Sequence, residues 1–485
     1  MSLMSQSLLM EAQSLRLEGD IDGSIALLRV VISQCSADVD NDGTADRRTY
    51  ELWQMASYQL SLLLLQKSGR CSDQASEREA DNTLVKMGYR LRLSTKVFGY
   101  PACECAAAIT NDDAKLPLLM IDDILPQSIF HALQHSLRPS SRYWTDFYSK
   151  TSEGEGRSNE AGDKRRIFAS HNISLPNSTD LTSSECIEKA SSLIEQVAII
   201  VKHCLSHHFP LLATATSVEV WSHRRTPDAH HQLHYDMDEI SLHEHKQRHK
   251  DECNSTMNKR QKVGHCSEER SKHNQAKDYM SSMIKDLCPI ISCVLTVNVP
   301  YETKTCDRCG RLGDGAPTLV CNQSLLGSSC DEGWLCYPRQ NRLVAFDGSL
   351  LHAVVPGIPS EALSEDEDLN SRVTFMMGFW KDVRLTVPDK TSECLTIGPN
   401  VSFPSSLLDE FKPIAVDESS LSMHMLAASK HVQHPILVSP LWTELSNEQA
   451  GDSNEFASAG EQDFSGRFFL RSTDPTEIDD IVLGL

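Results

Sequence analysis

The chain has 485 residues, 67 acidic against 46 basic side chains and a formal net charge of −21, enough length for two or three domains. That charge excludes a general affinity for nucleic-acid phosphates or anionic bilayers, and no apolar run is long enough to span a membrane. Met1 to Glu11 lack the basic-then-apolar layout of a secretory leader, so the 16 cysteines are expected as thiols in the cytoplasm or nucleus.

Residues 1–97 read as a helical domain. Leu8, Ala12, Leu15, Ile25, Leu28 and Ile32 fall at helical spacing around Gly19-Asp20 and predict an antiparallel pair. Tyr50, Trp53, Ala56, Leu60 and Leu64 open a second pair, expected to break near Gly69 and to continue through Ala80, Leu84 and Met87. Ala12, Leu15 and Gly19-Asp20, followed by Ile25-Ala26, weakly resemble a tetratricopeptide-type hairpin, which would imply a peptide partner. A helical layer packed on the rest of the chain fits the same residues. Asp38-Val39-Asp40-Asn41-Asp42-Gly43 begins like a calcium loop, but Thr49 stands where the bidentate glutamate belongs, so a polar inter-helix loop is expected.

A linker, 98–115, leads to Leu116 to Pro126, which reads as a strand, a turn and a helix through Leu137, with Pro117 where a missing N–H is tolerated. Thr182-Ser183-Ser184-Glu185 has capping-box spacing before an apolar stripe of Ile187, Ala190, Ile194, Val197, Val201 and Cys204. Val218 to Trp221 and Gln232 to Asp236 read as strands. Residues 243–285 are dense in charge and nearly free of aliphatic side chains before Met280, and read as a mobile insertion. Ile290 to Val299, Pro317 to Cys321, Arg342 to Gly348 and Val373 to Trp380 continue the β pattern. Residues 386–485 hold apolar islands, His434 to Trp442 and Phe468 to Leu470, in a partly ordered acidic extension.

The chemistry concentrates in His234-Tyr235-Asp236 and a later His352. Alternate residues of a strand share a face, so His234 and Asp236 can enter one cavity. Two imidazoles and one carboxylate are the ligand set of the facial triad of non-haem Fe(II). By the same alternation His231 faces away from Asp236, whereas Asp238 shares its face; neither Asp238 nor Glu239 completes His-x-Asp with His234, so they are expected either behind the ligands or at the strand end. His243, His245 and His249 are solvated side chains of the insertion.

His234-Tyr235-Asp236, Arg342 to Gly357 and Arg372-Val373-Thr374 resemble the iron- and 2-oxoglutarate-dependent dioxygenases, especially the branch related to prolyl hydroxylases. The resemblance spans roughly 116–385. It implies a mixed α and β chain with a double-stranded β-helix, or jelly-roll, core behind the N-terminal helices. It also implies Fe(II) on His234, Asp236 and His352, with 2-oxoglutarate and O₂ as cosubstrates and ascorbate as a further candidate. Arg372 would grip the far carboxylate of 2-oxoglutarate, and Thr374 stands where the family commonly has a serine as second anchor. The gap from His352 to Arg372 is longer than usual and is filled by Pro359 to Asp368, an acidic loop insertion. The prime substrate would be a protein side chain, proline among them, or a small molecule.

Two other readings stay beside this one. The helices could bind a peptide beside an inactive barrel, making a non-catalytic interaction protein. Cys306 and Cys309 form a CxxC followed by Cys321, Cys330 and Cys336, which would suit a structural zinc, although the second half lacks a CxxC and reduced structural cysteines fit better.

Overall fold

The computed structural model describes residues 3–42, 47–99, 116–148, 170–175, 187–225, 230–238, 241, 287–299, 316–325, 327, 329–357, 371–381, 407, 409–428, 431–446 and 468–475. Helices α1 (Leu3–Leu17), α2 (Ile21–Asp42), α3 (Arg47–Cys71) and α4 (Gln74–Lys86) each pack on the next. Gly19, at φ 86°, makes the turn between α1 and α2 that a side-chain-bearing residue would resist. Two expectations change here. Asp38 to Asp42 belong to the end of α2, which runs to Asp42, rather than to a loop. Gly69 lies inside α3: a Cβ there would collide with the Thr95 carbonyl and with Gly99, so glycine serves a close crossing. The break comes at Ser72 (φ 54°), and Asp73 caps α4 by accepting from Ala75 N and Ser76 N.

The chain then makes β1 (Leu91–Leu93) and α5 (Thr95–Phe98), which crosses the expected boundary at residue 97. β2 (Leu118–Ile121) and α6 (Gln127–Ser136) follow as the sequence predicts. After β3 (His171–Ser174) comes α7 (Leu193–Ser206). Ser192 caps it: the serine hydroxyl accepts from Glu195 N at 3.2 Å, and the Glu195 carboxylate reaches back one residue past the cap to accept from Ser191 N at 2.7 Å. Thr182 to Glu185, the expected box, lies outside the described residues.

The remaining strands are β4 (Ser217–Arg225), β5 (His231–His234), β6 (Ile291–Asn298), β7 (Thr318–Ser324), β8 (Gly333–Cys336), β9 (Arg342–Asp347), β10 (Leu350–Val354) and β11 (Arg372–Trp380). They are followed by α8 (Glu418–Ala428), β12 (Val432–Gln433), β13 (Ile436–Val438), β14 (Trp442–Glu444) and β15 (Phe469–Leu470). The seven-stranded sheet runs β12-β2-β9-β6-β11-β4-β3 and the five-stranded one β13-β8-β7-β10-β5, every pairing antiparallel. From β4 to β11 the chain changes sheet at every connection except β7 to β8. That alternation is consistent with a core like a double-stranded β-helix. Among the described residues the two sheets stay separate and do not close into a barrel.

Three apolar layers fix this arrangement. The outer face of the large sheet buries Val218, Val220, Phe375 and Phe379 against α6, α7 and α8. Leu118, Met120, Val320, Trp334, Phe346 and Leu350 fill one part of the space between the sheets. The outer face of the small sheet, Leu233, Tyr235, Leu319, Leu351 and Val355, shares a continuous core with the N-terminal helices. The tail's apolar islands are structural: β12 and β13 extend the two sheets, and β14 and β15 flank β1. The insertion 243–285 and the acidic loop 359–368 lie outside the described residues. The flanks of the former meet, however, where Asp238 N donates to Leu287 O at 2.8 Å. No helix among the described residues is long and apolar enough to cross a membrane.

Candidate metal centre

β5 and β10 pair so that His234 stands directly opposite His352, with ring centroids 4.1 Å apart. β5 ends at His234, and Asp236 follows in irregular chain rather than within the expected strand. Its Oδ1 lies 3.8 Å from His234 Nε2 and 3.6 Å from His352 Nε2. One donor atom from each residue falls within 4.8 Å of the others, so two histidines and a carboxylate could share one ion.

The backbone sets which nitrogen is presented. Nδ1 of His234 lies 2.8 Å from Gln232 O and Nδ1 of His352 lies 3.0 Å from Leu350 O. With Nδ1–H donating to these carbonyls, each Nε2 keeps its lone pair for a ligand. Burial, and then the neighbouring His352, push His234 well below the ordinary histidine range, which favours the neutral, ligating form. Asp236 is held from behind: Ser292 Oγ, on β6, donates to its Oδ2 at 2.7 Å. Two imidazoles presenting Nε2, an anchored carboxylate and a common focus suit a divalent first-row ion such as Fe(II).

The residues on β4 and β11 that face the site follow from the core. Val218 and Val220, and Val373, Phe375, Met377 and Phe379, belong to the helix-side layer. Glu219, Trp221, His223 and Arg225, with Arg372, Thr374, Met376, Gly378 and Trp380, therefore line the space between the sheets. Arg372 is buried opposite Arg225 and donates from its guanidinium to the Ala316 carbonyl. Thr374 stands opposite His223 on one side and Thr296 on the other. Burial first, then Arg225, His234 and Arg372, hold His223 well below the ordinary histidine range. His223 thus lies within electrostatic reach of both the triad and Arg372.

One orientation departs from expectation. The His231 ring lies 4.2 Å from that of His234, because pairing shifts between His352↔His234 and Val354↔His231 and this irregularity interrupts simple alternation. Asp238 takes the strand-end role, accepting from Ser241 N at 2.9 Å and Ser241 Oγ at 2.7 Å. Cys306 and Cys309 lie outside the described residues, as do Glu239, His243, His245 and His249. Cys321 packs on the helix side of the small sheet and Cys336 on its inner side, so these two cannot share an ion. Burial pushes the Cys336 thiol up to about 12, and no disulfide joins the described cysteines.

Sequence reasoning misses Ser292, His223 and Glu219. Alternation along β6 and β4 marks their face, but only the sheet register brings them to the triad. Burial pushes the Glu219 carboxyl up to about 7; Ser170 opposes this, and Asp236 and Asp238 add to it.

No protein-family model matches the chain. No curated protein matches it. Among solved structures it is similar to a prolyl-4-hydroxylase from Pseudomonas putida at 13% sequence identity and a TM-score of 0.25, over 57% of this chain and 99% of that one. The triad itself is consistent with a centre of the iron- and 2-oxoglutarate-dependent dioxygenase kind and singles out no branch.

Proposed function

We propose that this chain is an Fe(II)- and 2-oxoglutarate-dependent oxygenase that hydroxylates a protein side chain such as proline. O₂ and 2-oxoglutarate would be consumed and succinate and CO₂ released, one oxygen atom passing to the substrate C–H bond and one to succinate. The observation that carries this reading is the convergence of His234 Nε2, His352 Nε2 and Asp236 Oδ1 on one point. When bound, iron supplies the redox chemistry that couples O₂ to C–H oxidation.

The protein's own part is placement. His234 and His352 are oriented by the carbonyls of Gln232 and Leu350, and Asp236 by Ser292. Arg372, inside the same space, would pair with the far carboxylate of 2-oxoglutarate, and Thr374 would add a hydroxyl contact. Arg372 also reaches the Ala316 carbonyl, which holds the guanidinium at that end of β11. The apolar layer between the sheets reaches the site at Phe346, whose ring lies 4.8 Å from that of His352. Residues 116–385 would form this oxygenase unit, with 1–97 as a helical region and 386–485 as the extension.

The test is Asp236→Ala. Fe(II) binding by calorimetry and succinate formation should both be lost while circular dichroism stays unchanged. Undiminished turnover in a folded Asp236→Ala chain overturns the assignment.

A further inference from the structure

β5 ends on one candidate ligand, His234, and leads directly to another, Asp236, yet its own ladder holds it weakly. It is four residues long and lies at the edge of the five-stranded sheet. Among the described residues it pairs with β10 alone, across the shift between His352↔His234 and Val354↔His231. Asp236 follows outside any ladder. A short edge strand with one irregular neighbour opens more readily than strands inside a sheet. Three ligands that must meet on one ion need fixed places, so support has to come from outside the ladder.

Contacts at both ends of the strand supply it. Before β5, Arg225 Nη1 donates to His230 O at 2.8 Å, and the ring of buried Phe468, in the C-terminal extension, lies 5.6 Å from that of His230. After β5, Gln323 Nε2 lies 3.5 Å from the hydroxyl of Tyr235, the residue between His234 and Asp236, and donates to Pro475 O at 3.2 Å. Gln323 stands on β7 and shares the face of Leu319 and Cys321, which turn to the N-terminal helices as Tyr235 does. In the order β7-β10-β5, this one amide reaches across β10. The segment Phe468 to Pro475 therefore meets the metal-bearing strand at its start and, through Gln323, at its end.

Gln323 is a poor choice for stability alone. It is 0% exposed, and its Oε1 has no hydrogen-bond partner. A buried acceptor left unpaired is costly, and an apolar side chain of the same length would avoid that cost in a layer built largely from leucine and aromatic residues. Such local departures from good packing are expected where a residue has another task. We infer that Gln323 is a positioning residue: through Tyr235 it ties the metal-binding end of β5 to the segment Phe468 to Pro475, and so keeps His234 and Asp236 where one ion can join them. The extension thereby gains a part in the metal centre, a part whose meaning for catalysis rests on the oxygenase reading.

The test is a double-mutant cycle in the full chain: Gln323→Met, Tyr235→Phe and both together. Three quantities are read: hydrogen exchange of segment 230–238 without metal, Co(II) affinity with its visible absorption, and the thermal unfolding transition. Gln323→Met should speed that exchange by about three- to tenfold, the worth of one such hydrogen bond. It should weaken Co(II) binding by about tenfold and move the absorption bands, as loss of a residue supporting a metal ligand does. The unfolding transition should stay at or above that of the parent, because the unpaired acceptor is gone. Tyr235→Phe should match it in exchange and affinity, and the double variant should do no more than either alone. Parent-like exchange and affinity in Gln323→Met overturn the inference, and so do additive effects of the two substitutions. A fall in the unfolding transition that accounts for the lost affinity also overturns it, since that marks a merely structural residue. If Co(II) binding to the parent is untouched by Asp236→Ala, the metal centre itself fails, and exchange of the metal-free chain still decides whether Gln323 holds β5.

Discussion

Ser292 holds the second oxygen of Asp236 with a single hydroxyl, and Ser292→Ala isolates that contact. The fold should persist, and affinity for Fe(II) or Zn(II) in calorimetry should fall by roughly 10- to 100-fold, the usual effect of losing a residue that orients a metal ligand. Unchanged affinity would mean that Asp236 needs no such support. At the other end of β11, Arg372→Ala should spare metal binding and raise the 2-oxoglutarate requirement, a loss of about 2–5 kcal/mol for a buried charge-assisted pair. A matching effect from Arg384→Ala instead would move the anchor off this strand. At this scale the triad is legible because histidine and aspartate at strand spacing, with His352 following in order, supply a complete ligand set for one ion. His231 misleads because a pairing irregularity is invisible in one strand's sequence. Ser292 escapes notice because a serine in an apolar strand has many uses, and only register brings it under Asp236.

Individual elements show where local pattern suffices. β11 pairs with β4 over its whole length, from Arg372↔Arg225 to Trp380↔Ser217, as its unbroken apolar run suggests. α7 is legible as an apolar stripe but its start is not: Thr182 to Glu185 and Ser192 to Glu195 carry the same signal, and nothing local separates them. Gly69 reads as a break because glycine is a poor helix former, whereas its neighbour across the crossing, Gly99, is thirty residues on. Gly69→Ala therefore tests packing against propensity. Alanine favours an isolated helix by about 0.5–1 kcal/mol. The collision with Thr95 and Gly99 should reverse the sign, for a net loss of about 1–3 kcal/mol in urea unfolding. A stabilised variant would show that α3 and α5 can separate at no cost.

For the molecule as a whole, the division suggested by sequence, helices first and catalytic unit second, is less clean than the packing. Periodicity finds each element but cannot say which faces meet. Leu233 and Tyr235 flank His234, and Leu351 and Ala353 flank His352; all four belong to the core that includes Ala56, Leu60 and Leu64 of α3. The metal-binding strands thus turn their ligands one way and their apolar side chains towards the helices. Gln66 Nε2 donates to Pro356 O at 2.8 Å just past β10, a buried contact between residues 290 positions apart. The tail closes the same layer: β15 pairs with β1, and Phe469 lies edge-on to Tyr58 and Tyr89, at centroid distances of 5.2 and 5.6 Å. Removing residues 1–98 would expose a broad apolar face behind the candidate metal site, an aggregation-prone surface in water. The truncated chain should be insoluble, or soluble only with weakened metal binding, and the full chain should unfold in one cooperative calorimetric transition. Phe469→Ala should lower that transition through a loss of about 3–5 kcal/mol, as for a buried phenylalanine. A soluble 99–485 fragment that binds Fe(II) like the full chain, or two separate transitions in the parent, would restore the helices to the status of an appended module.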